Sequence, residues 1–547
     1  MFVRRTTTAV LATLLVAPAA ARAQATDGTI VSVAGTTSGF AGDGGPASQS
    51  KMNTPRDVAF IASDSFVIAD FGNDRIRRVL PDGTIVTVAG GDRGMSGDDG
   101  PATDAQLDRP RGVTAFPGGG FLVTDTFNHR IRRVFGDGTI DTVAGSTQGN
   151  FGDGGMAIAA QLSEPSDTAT LPDGGFLIAD SGNDRLRRVH PDGTITGVAT
   201  PGLTLSYPRD VSVADDGSIL VADTGNSRIV RIAADGSAAT GVARGHGPGV
   251  AGDTAPARRA PLPPPGSGAS LPNGGFVFTD TGNDRVRRVT PLGAIFTVAG
   301  TTRGESGDGG SANQAQLAAP GALTLAPGGG FLVADTDNQE IRRVSDVGAV
   351  PAAQAGRSFN VAPSTGDVLV APLGIDVALP LREEDLVPIG SSVDATAGRL
   401  RLATATAPGG PLQSAEVYAG PFTLRQGTGP APYTNFRLPP LDCSDEPAAR
   451  RRSAPRGAPV ASAAAKRRKK KRKLWVSEPG GRWRSSTGST SASAVGTLWK
   501  TTLLCEGTRV TVREGTVRVR DLIRRRSRLV RAGESFLVRT SGPNRGI

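Results

Sequence analysis

One segment constrains what this chain can fold into more than any other: IADFGNDRIRRVLPDGTIVTVAG, residues 68–90, recurs down the molecule. TDTFNHRIRRVFGDGTIDTVAG follows at 124–145, ADSGNDRLRRVHPDGTITGVAT at 179–200, ADTGNSRIVRIAADGSAATGVAR at 222–244 and TDTGNDRVRRVTPLGAIFTVAG at 279–300. A sixth copy, ADTDNQEIRRVSDVGAV, begins at 334. The basic residue after Asn-x is Arg75, Arg130, Arg185, Arg228 and Arg285, with Glu340 in the sixth copy, so the intervals are 55, 55, 43, 57 and 55 residues. A period of that size marks a repeat unit that cannot bury its apolar face alone and must stack on its neighbours.

Each unit reads as four short strands. In the first copy they are PRDVAF (55–60), SFVIAD (65–70), RIRRV (75–79) and TIVTVAG (84–90), joined by tight turns built on Gly, Asn, Asp and Pro. Short β-branched runs separated by turn residues predict an all-β chain. Four antiparallel strands per repeat make one blade of a β-propeller, here with six blades. DGTIVSVAG (27–35) is a fourth strand with no blade before it. The last repeat's own candidate carries Pro351, which cannot donate to a ladder. Residues 27–35 are therefore expected to close the ring on the blade of 320–345, removing exposed sheet edges.

PRGVTAF, FLVTDTFNHRIRRV and DGTIDTVAG, with their equivalents over about 330 residues, resemble the NHL repeat family. The resemblance implies a six-bladed propeller whose usual role is to bind a partner on one face. It also brings two enzymatic alternatives: an amidating lyase shares the repeat and uses a zinc site, and propeller lactonases of similar outline hold calcium near the axis.

The long period has an identifiable cause. GFAGDGGPASQSKMNTP (39–55) lies between blades and returns as SGDDGPATDAQLDRP, FGDGGMAIAAQLSEP, AGDTAPARRAPLP and SGDGGSANQAQLAAP. The 43-residue interval lacks it and has PGLTLSYP instead. These inserts connect an outermost strand to the next innermost one, which puts them on the same face of the disc as the Gly-Asn-Asp turns.

Outside the propeller, 26–356, the chain changes character. Residues 1–25 combine a basic start, an apolar run and a small-x-small site after Ala23 or Ala25, the pattern of a cleaved signal peptide. That implies a secreted or envelope location, and no transmembrane span remains after cleavage. Residues 357–426 read as a β-rich domain, similar to a companion domain of exported proteins to which no activity attaches. Residues 427–473 read as a Pro/Ala-rich linker ending in the basic run 466–473, KRRKKKRK. Residues 474–547 resemble the FecR-type domain in Gly496-Thr497, Thr508–Val512, Glu514–Val517 and Ala532-Gly533-Glu534. Residues 441–547 hold 26 Lys and Arg against 8 Asp and Glu, a net of +18, so 1–440 carry −8 of the chain's +10. A basic run in an exported chain suits either a solvated linker or an anionic envelope surface. Nucleic acid is disfavoured because no aromatic platform interleaves the run. Cys443 and Cys505 are the only cysteines, and an exported chain predicts that they pair as a disulfide.

Few residues carry evident chemistry. His129, His190 and His246 fall on different faces, so no metal site is expected. Asp70, Asn73, Arg75 and their equivalents recur in most blades, as a scaffold does; Asp and Asn would cap backbone N–H groups and the Arg would bridge blades. Asp43, Asp98, Asp153 and Asp308 of the inserts read as turn chemistry rather than calcium ligands. Residues that break the symmetry near the axis are the binding candidates: Arg56, Asp57, Arg111, Asp167, Arg209 and Asp210 at innermost-strand starts, where the last two blades have Gly-Ser and Gly-Ala. Phe71 and Phe127 are read as replacing the usual turn glycine. No Glu stands at these starts, as the lactonase pattern would want, and no nucleophile–base pair clusters. The resulting expectation is a non-enzymatic binding or scaffold protein with no cofactor. It would take a protein or envelope polymer on the insert-bearing face. A propeller lyase or lactonase with an axial site, or an envelope sensor, are the alternatives.

Overall fold

The computed structural model describes residues 28–62, 64–200, 202–242, 257, 260–346, 358–372, 378–382, 384–405, 412–418, 420–427, 433–438, 471–477, 483–487, 490–494, 498–504, 507–539 and 545–546. Residues 1–25, read above as a signal peptide, and His246, Cys443, Cys505 and the basic residues 466–470 lie outside them.

Among the described residues, the first 346 form six antiparallel sheets of four repeat strands, one of them extended by the short insert strand Gly100–Pro101. The first blade is Asp57–Ala62, Ser65–Asp70, Arg75–Val79 and Ile85–Gly90. The second strand of this blade is buried along its whole length, because it is sandwiched in its own sheet and between two blades. Phe121, Phe176, Phe276 and Phe331 begin the same strand in other blades and are all buried in clusters that join one blade to the next. The innermost strands follow one another around the axis, and Leu323–Leu325 of the last blade lies against Asp57–Ala62 of the first.

Ring closure is as the sequence implied. Ile30–Ala34 pairs antiparallel with Glu340–Val344, Ile30 opposite Val344 and Ala34 opposite Ile341. Ile30 and Ala34 are fully buried, Thr29 N–H donates to Ser345 Oγ, and Ser32 N–H donates to Asp308 of the neighbouring insert.

The C-terminal part departs from the expected domain plan. Strands from 358–437 and from 471–546 belong to one sixteen-stranded hydrogen-bonded network. Tyr433–Arg437 is a strand within the stretch read as a linker, Lys471–Ser477 is one that begins there and crosses its boundary, and Leu412–Tyr418 pairs with the latter. Thr434–Arg437 runs parallel to Trp483–Ser486. One apolar cluster contains Phe359, Phe422 and Phe436 together with Trp499, Val510 and Val538, so the segments 357–426 and 474–547 share a core.

This region docks on the propeller through a symmetry-breaking turn. Four blades carry an Asp in the turn between third and fourth strands, and Asp82, Asp137, Asp192 and Asp235 each accept the N–H two residues on. The fifth blade has Leu292 and Ala294 in that turn, both buried. Leu292 joins the C-terminal core, Ala294 packs on Leu386, and Leu292 N–H donates to Asp385 at 3.2 Å. The docking is on the face opposite the inserts. Leu292→Asp should release it, because a carboxylate would be buried against Asp385. Limited proteolysis should then liberate a propeller-sized core faster than from the wild type; an unchanged cleavage rate would refute the contact.

Candidate functional site

The site grows from the backbone of the insert-bearing face. Second and third strands of each blade are joined by a short 3-10 turn: Phe71–Asn73, Thr126–Asn128, Ser181–Asn183, Thr224–Asn226, Thr281–Asn283 and Thr336–Asn338. The Asp before each turn is fully buried. One of its oxygens accepts the Asn side-chain N–H two positions into the turn at 2.8–2.9 Å, as between Asn73 and Asp70 and between Asn128 and Asp125. The other accepts the N–H seventeen residues upstream, from Asn53 to Asp70, Asp108 to Asp125, Ser163 to Asp180, Ser206 to Asp223 and Ala318 to Asp335. In the fifth blade that upstream residue is Pro263, which has no N–H, and Asp280 Oδ1 is left without a partner. Burial raises Asp70, Asp280 and Asp335 to about 6 and Asp125 to about 7. The Asp-x-x-Asn set therefore builds the turn.

Three residue roles differ from the sequence reading. The Arg75 column does not bridge blades. That task falls to the left-handed residue ending each turn: Asp74 accepts Arg109 N–H, Asp184 accepts Tyr207 N–H and Asp284 accepts Ala319 N–H. His129 takes this place in the second blade, and its Nδ1 accepts Glu164 N–H at 3.1 Å. It is an inter-blade link, and burial lowers its pKa. An accepting Nδ1 requires the proton of a neutral ring to sit on Nε2.

Second, the insert aspartates are ion-pair partners. Arg77, fully buried in the third strand, donates Nε and Nη2 to Asp43 Oδ1 at 3.0 and 2.6 Å and Nη1 to the Lys51 carbonyl. Arg132–Asp98, Arg187–Asp153 and Arg342–Asp308 repeat the clamp. In the fourth blade, which lacks the insert, the residue in the Arg77 place is Val230. Each clamp fastens its insert to the blade that follows it.

Third, only Phe127 replaces a turn glycine. Phe71 stands where Thr281 and Thr336 donate their hydroxyls to Pro320 and Pro55 of the next blade. A phenyl ring forfeits that bond and lies instead under the Arg56 guanidinium, 5.3 Å from ring centroid to Cζ.

Of the eight candidates, Arg56, Asp57, Arg111, Asp167, Arg209 and Asp210 line one axial cavity of about 40 Å³, with Ser166, Gly266, Thr281, Gly321 and Ala322. Phe71 meets it through Arg56; Phe127 sits farther out, 41% exposed, beneath Arg109. The fifth and sixth blades offer glycine for a packing reason. A Cβ on Gly266 would come within 2.6 Å of Gly321 O, and one on Gly321 within 2.6 Å of Arg56 O. The cavity is thus lined by long cationic side chains from the first, second and fourth blades and left open on the other side.

The carboxylates are stitched sideways. Asp57 accepts its own strand's Val58 N–H and Val113 N–H of the next blade; Asp167 accepts Val211 N–H and Asp210 accepts Gly268 N–H. Burial raises all three, Asp57 and Asp210 to about 7 and Asp167 well above its ordinary value, with Asp210 and Asp57 adding repulsion to Asp167. At the rim, Thr54, Arg109, Glu164, Tyr207 and Ala319, each followed by proline, hold left-handed backbone with φ of 43–49°. Tyr207 hydroxyl donates to Glu164 across two blades. Sequence reasoning missed this rim ring; its signal was a side chain that changes at every repeat just before an invariant proline.

Among the described residues, no helix is long and apolar enough to cross a membrane, and no group of three His, Cys, Asp or Glu is disposed to hold a metal ion. Residues 107–134 and 205–232 match the NHL repeat. A stretch of 131 residues is 34% identical to the Arabidopsis thaliana chloroplastic protein SUPPRESSOR OF QUENCHING 1, covering 22% of this chain and only 12% of that one. An auxiliary nutrient binding protein from Bacteroides ovatus is 16% identical over 58% of this chain and 76% of its own, with a TM-score of 0.45. Virginiamycin B lyase from Staphylococcus aureus is 17% identical over 52% of this chain and 78% of its own, with a TM-score of 0.35. Likenesses this remote carry no argument about ligands. The chain is an all-β protein that carries NHL repeats in a propeller of four-stranded sheets.

Proposed function

We propose that this is an exported, non-enzymatic binding protein that takes its ligand or partner at the axial mouth of the insert-bearing face. The observation that carries the reading is the asymmetry of the mouth. A scaffold residue repeats in every blade, whereas the position after the rim proline is Arg56, Arg111 and Arg209 in three blades and Ser166, Gly266 and Gly321 in the others, and the three arginines, with Phe71 beside Arg56, meet at one cavity. The C-terminal sheet docks on the opposite face, through Leu292 and Ala294, and leaves this mouth to a partner. The basic run 466–473 gives a second, screened attachment to an anionic envelope surface, and the FecR-like stretch and the Cys443–Cys505 bond belong to the same extracytoplasmic reading.

An axial lyase or lactonase has one observation in its favour: Asp57 and Asp210 lie near neutrality, where general acids and bases work. Against it, one oxygen each of Asp57, Asp167 and Asp210 accepts a backbone N–H of a neighbouring blade, and the other oxygen of Asp57 accepts Val58 N–H of its own strand. That is the work of a fastener rather than of a base facing a substrate.

The test compares wild type with the double variant Phe71→Ala/Arg209→Glu as bait for an envelope extract, with melting curves confirming the fold of both. The variant should lose the material that the wild type retains. Undiminished retention would place the interaction elsewhere.

A further inference from the structure

We propose that the axial mouth recognises a compact tetrahedral oxyanion of two charges, a phosphate group above all, gripped by Arg56, Arg111 and Arg209. This rests on the binding reading above and names the chemistry of what is bound.

The three guanidiniums differ from the arginines that pin the inserts and turns of this face. Arg77, Arg93, Arg132, Arg185, Arg187, Arg228, Arg303 and Arg342 each have a carboxylate partner. Among the described residues, Arg56, Arg111 and Arg209 make no ion pair, although the charge of Asp337 acts on Arg56. A buried Nε without an acceptor is something Arg56 and Arg209 share with several scaffold arginines, so it is their common cavity that sets the three apart. The carboxylates beside them in the chain are no substitute, since Asp57, Asp167 and Asp210 turn aside to the backbone of the next blade. Like charges are therefore held together around one small cavity. Burial lowers Arg56 and Arg209, the latter to about 10, and Arg111 repels both. Such crowding is unfavourable without an anion and is relieved when one enters.

Size and symmetry select the anion. A cavity of about 40 Å³, open on one side, seats a group of a few heavy atoms at its floor. The donors come from three blades around an axis, so they meet the oxygens of a tetrahedral group from separate directions, where a flat carboxylate would satisfy only one fork. Gly266 and Gly321 opposite leave an unobstructed side, and the exposed Phe127 farther out on the same face offers apolar surface to whatever the oxyanion is attached to.

The experiment is calorimetric titration of the full chain with inorganic phosphate, glycerol phosphate and acetate at constant ionic strength. Phosphate and glycerol phosphate should bind and acetate should not. Glycerol phosphate should be the tighter of the two if the anion is the end of a larger ligand, and the two should be equal if it is taken free. Arg209→Gln and Arg56→Gln should each weaken phosphate at least about tenfold, the loss of one charge-assisted pair. Arg209→Lys should recover part of it, and Arg93→Gln on the nearby insert should change nothing. Unchanged melting curves for the Gln variants separate lost binding from lost fold. No heat with either phosphate at millimolar concentration, or equal binding by the Gln variants, would overturn the proposal. If phosphates fail while Phe71→Ala/Arg209→Glu still loses its envelope material, the mouth binds something else and only the oxyanion assignment falls.

Discussion

Asp43→Ala should destabilise the propeller by on the order of 3 kcal/mol, because it leaves Arg77 buried with its best partner gone. The residual contact to Asp70 is long, 3.5 Å, and Asp70 is already occupied by Asn53 and Asn73. The value sits low in the range for a broken buried pair because Asp43 itself is 36% exposed and water reaches that side of the bond. The double variant Asp43→Ala/Arg77→Val should recover most of the loss, since it recreates the fourth blade. There Val230 is buried and Arg228 moves onto the turn carboxylate instead, Nε to Asp223 at 2.6 Å. Arg75 stands in the Arg228 place and is free to do the same once released from Phe40, over which it now lies. In melting temperature the single variant should fall by roughly 5–10 °C and the double by much less. Equal losses would mean that the clamp is incidental. The same logic governs any exchange of inserts: replacing 39–52 by the short connection without Arg77→Val would report a stranded cation, not a lost binding surface.

Deleting 26–36 should cost more. The deletion removes the fully buried Ile30 and Ala34, the ladder to Glu340–Val344 and the bonds to Ser345 and Asp308. Burial of one such aliphatic side chain is worth about 1.5–3 kcal/mol and each net hydrogen bond about 1. The sum is several kcal/mol, a drop of about 10–20 °C. The control is a deletion of equal length within 445–465; it must avoid Tyr433–Arg437, which the C-terminal sheet uses. Coincident melting temperatures would refute the closure. The truncated ring should also associate with itself, because Glu340–Val344 becomes an unpaired edge.

Repetition decided what the sequence disclosed. Strand number, turn positions and the closing strand could be read because a repeat presents the same local decision several times, and Pro351 marks the one strand that cannot close the ring. The mouth was legible for the opposite reason: the residue after the rim proline is not repeated, being Arg56, Arg111, Ser166, Arg209, Gly266 and Gly321 in turn. The Arg77 clamp was also in the letters. Val230 replaces the arginine only where the insert is missing, but the neighbouring Arg75 column drew attention first. Leu292 in place of an exposed Asp was a docking signal of the same kind. Phe71 was placed one residue out of register, a slip that a turn of three residues readily permits. The C-terminal sheet had no such internal comparison. A parallel pairing such as Thr434 with Trp483 joins segments whose local patterns say only that each is a strand.

The closing strand also sets a clock. Thr29 and Ser345, which bond across the seam, are 316 residues apart, so at roughly 5–20 residues per second of synthesis the first partner waits about 15–60 s for the second. Throughout that interval the earliest strand has nothing to pair with, and the first five blades must stack before the circle can be completed. A chain that stalls before residue 340 therefore carries two adhesive ends at once, one at its start and one at its last blade. The seam makes the finished ring all-or-none in time as well as in space, and a chaperone that shields residues 28–36 would be acting on the last step of assembly.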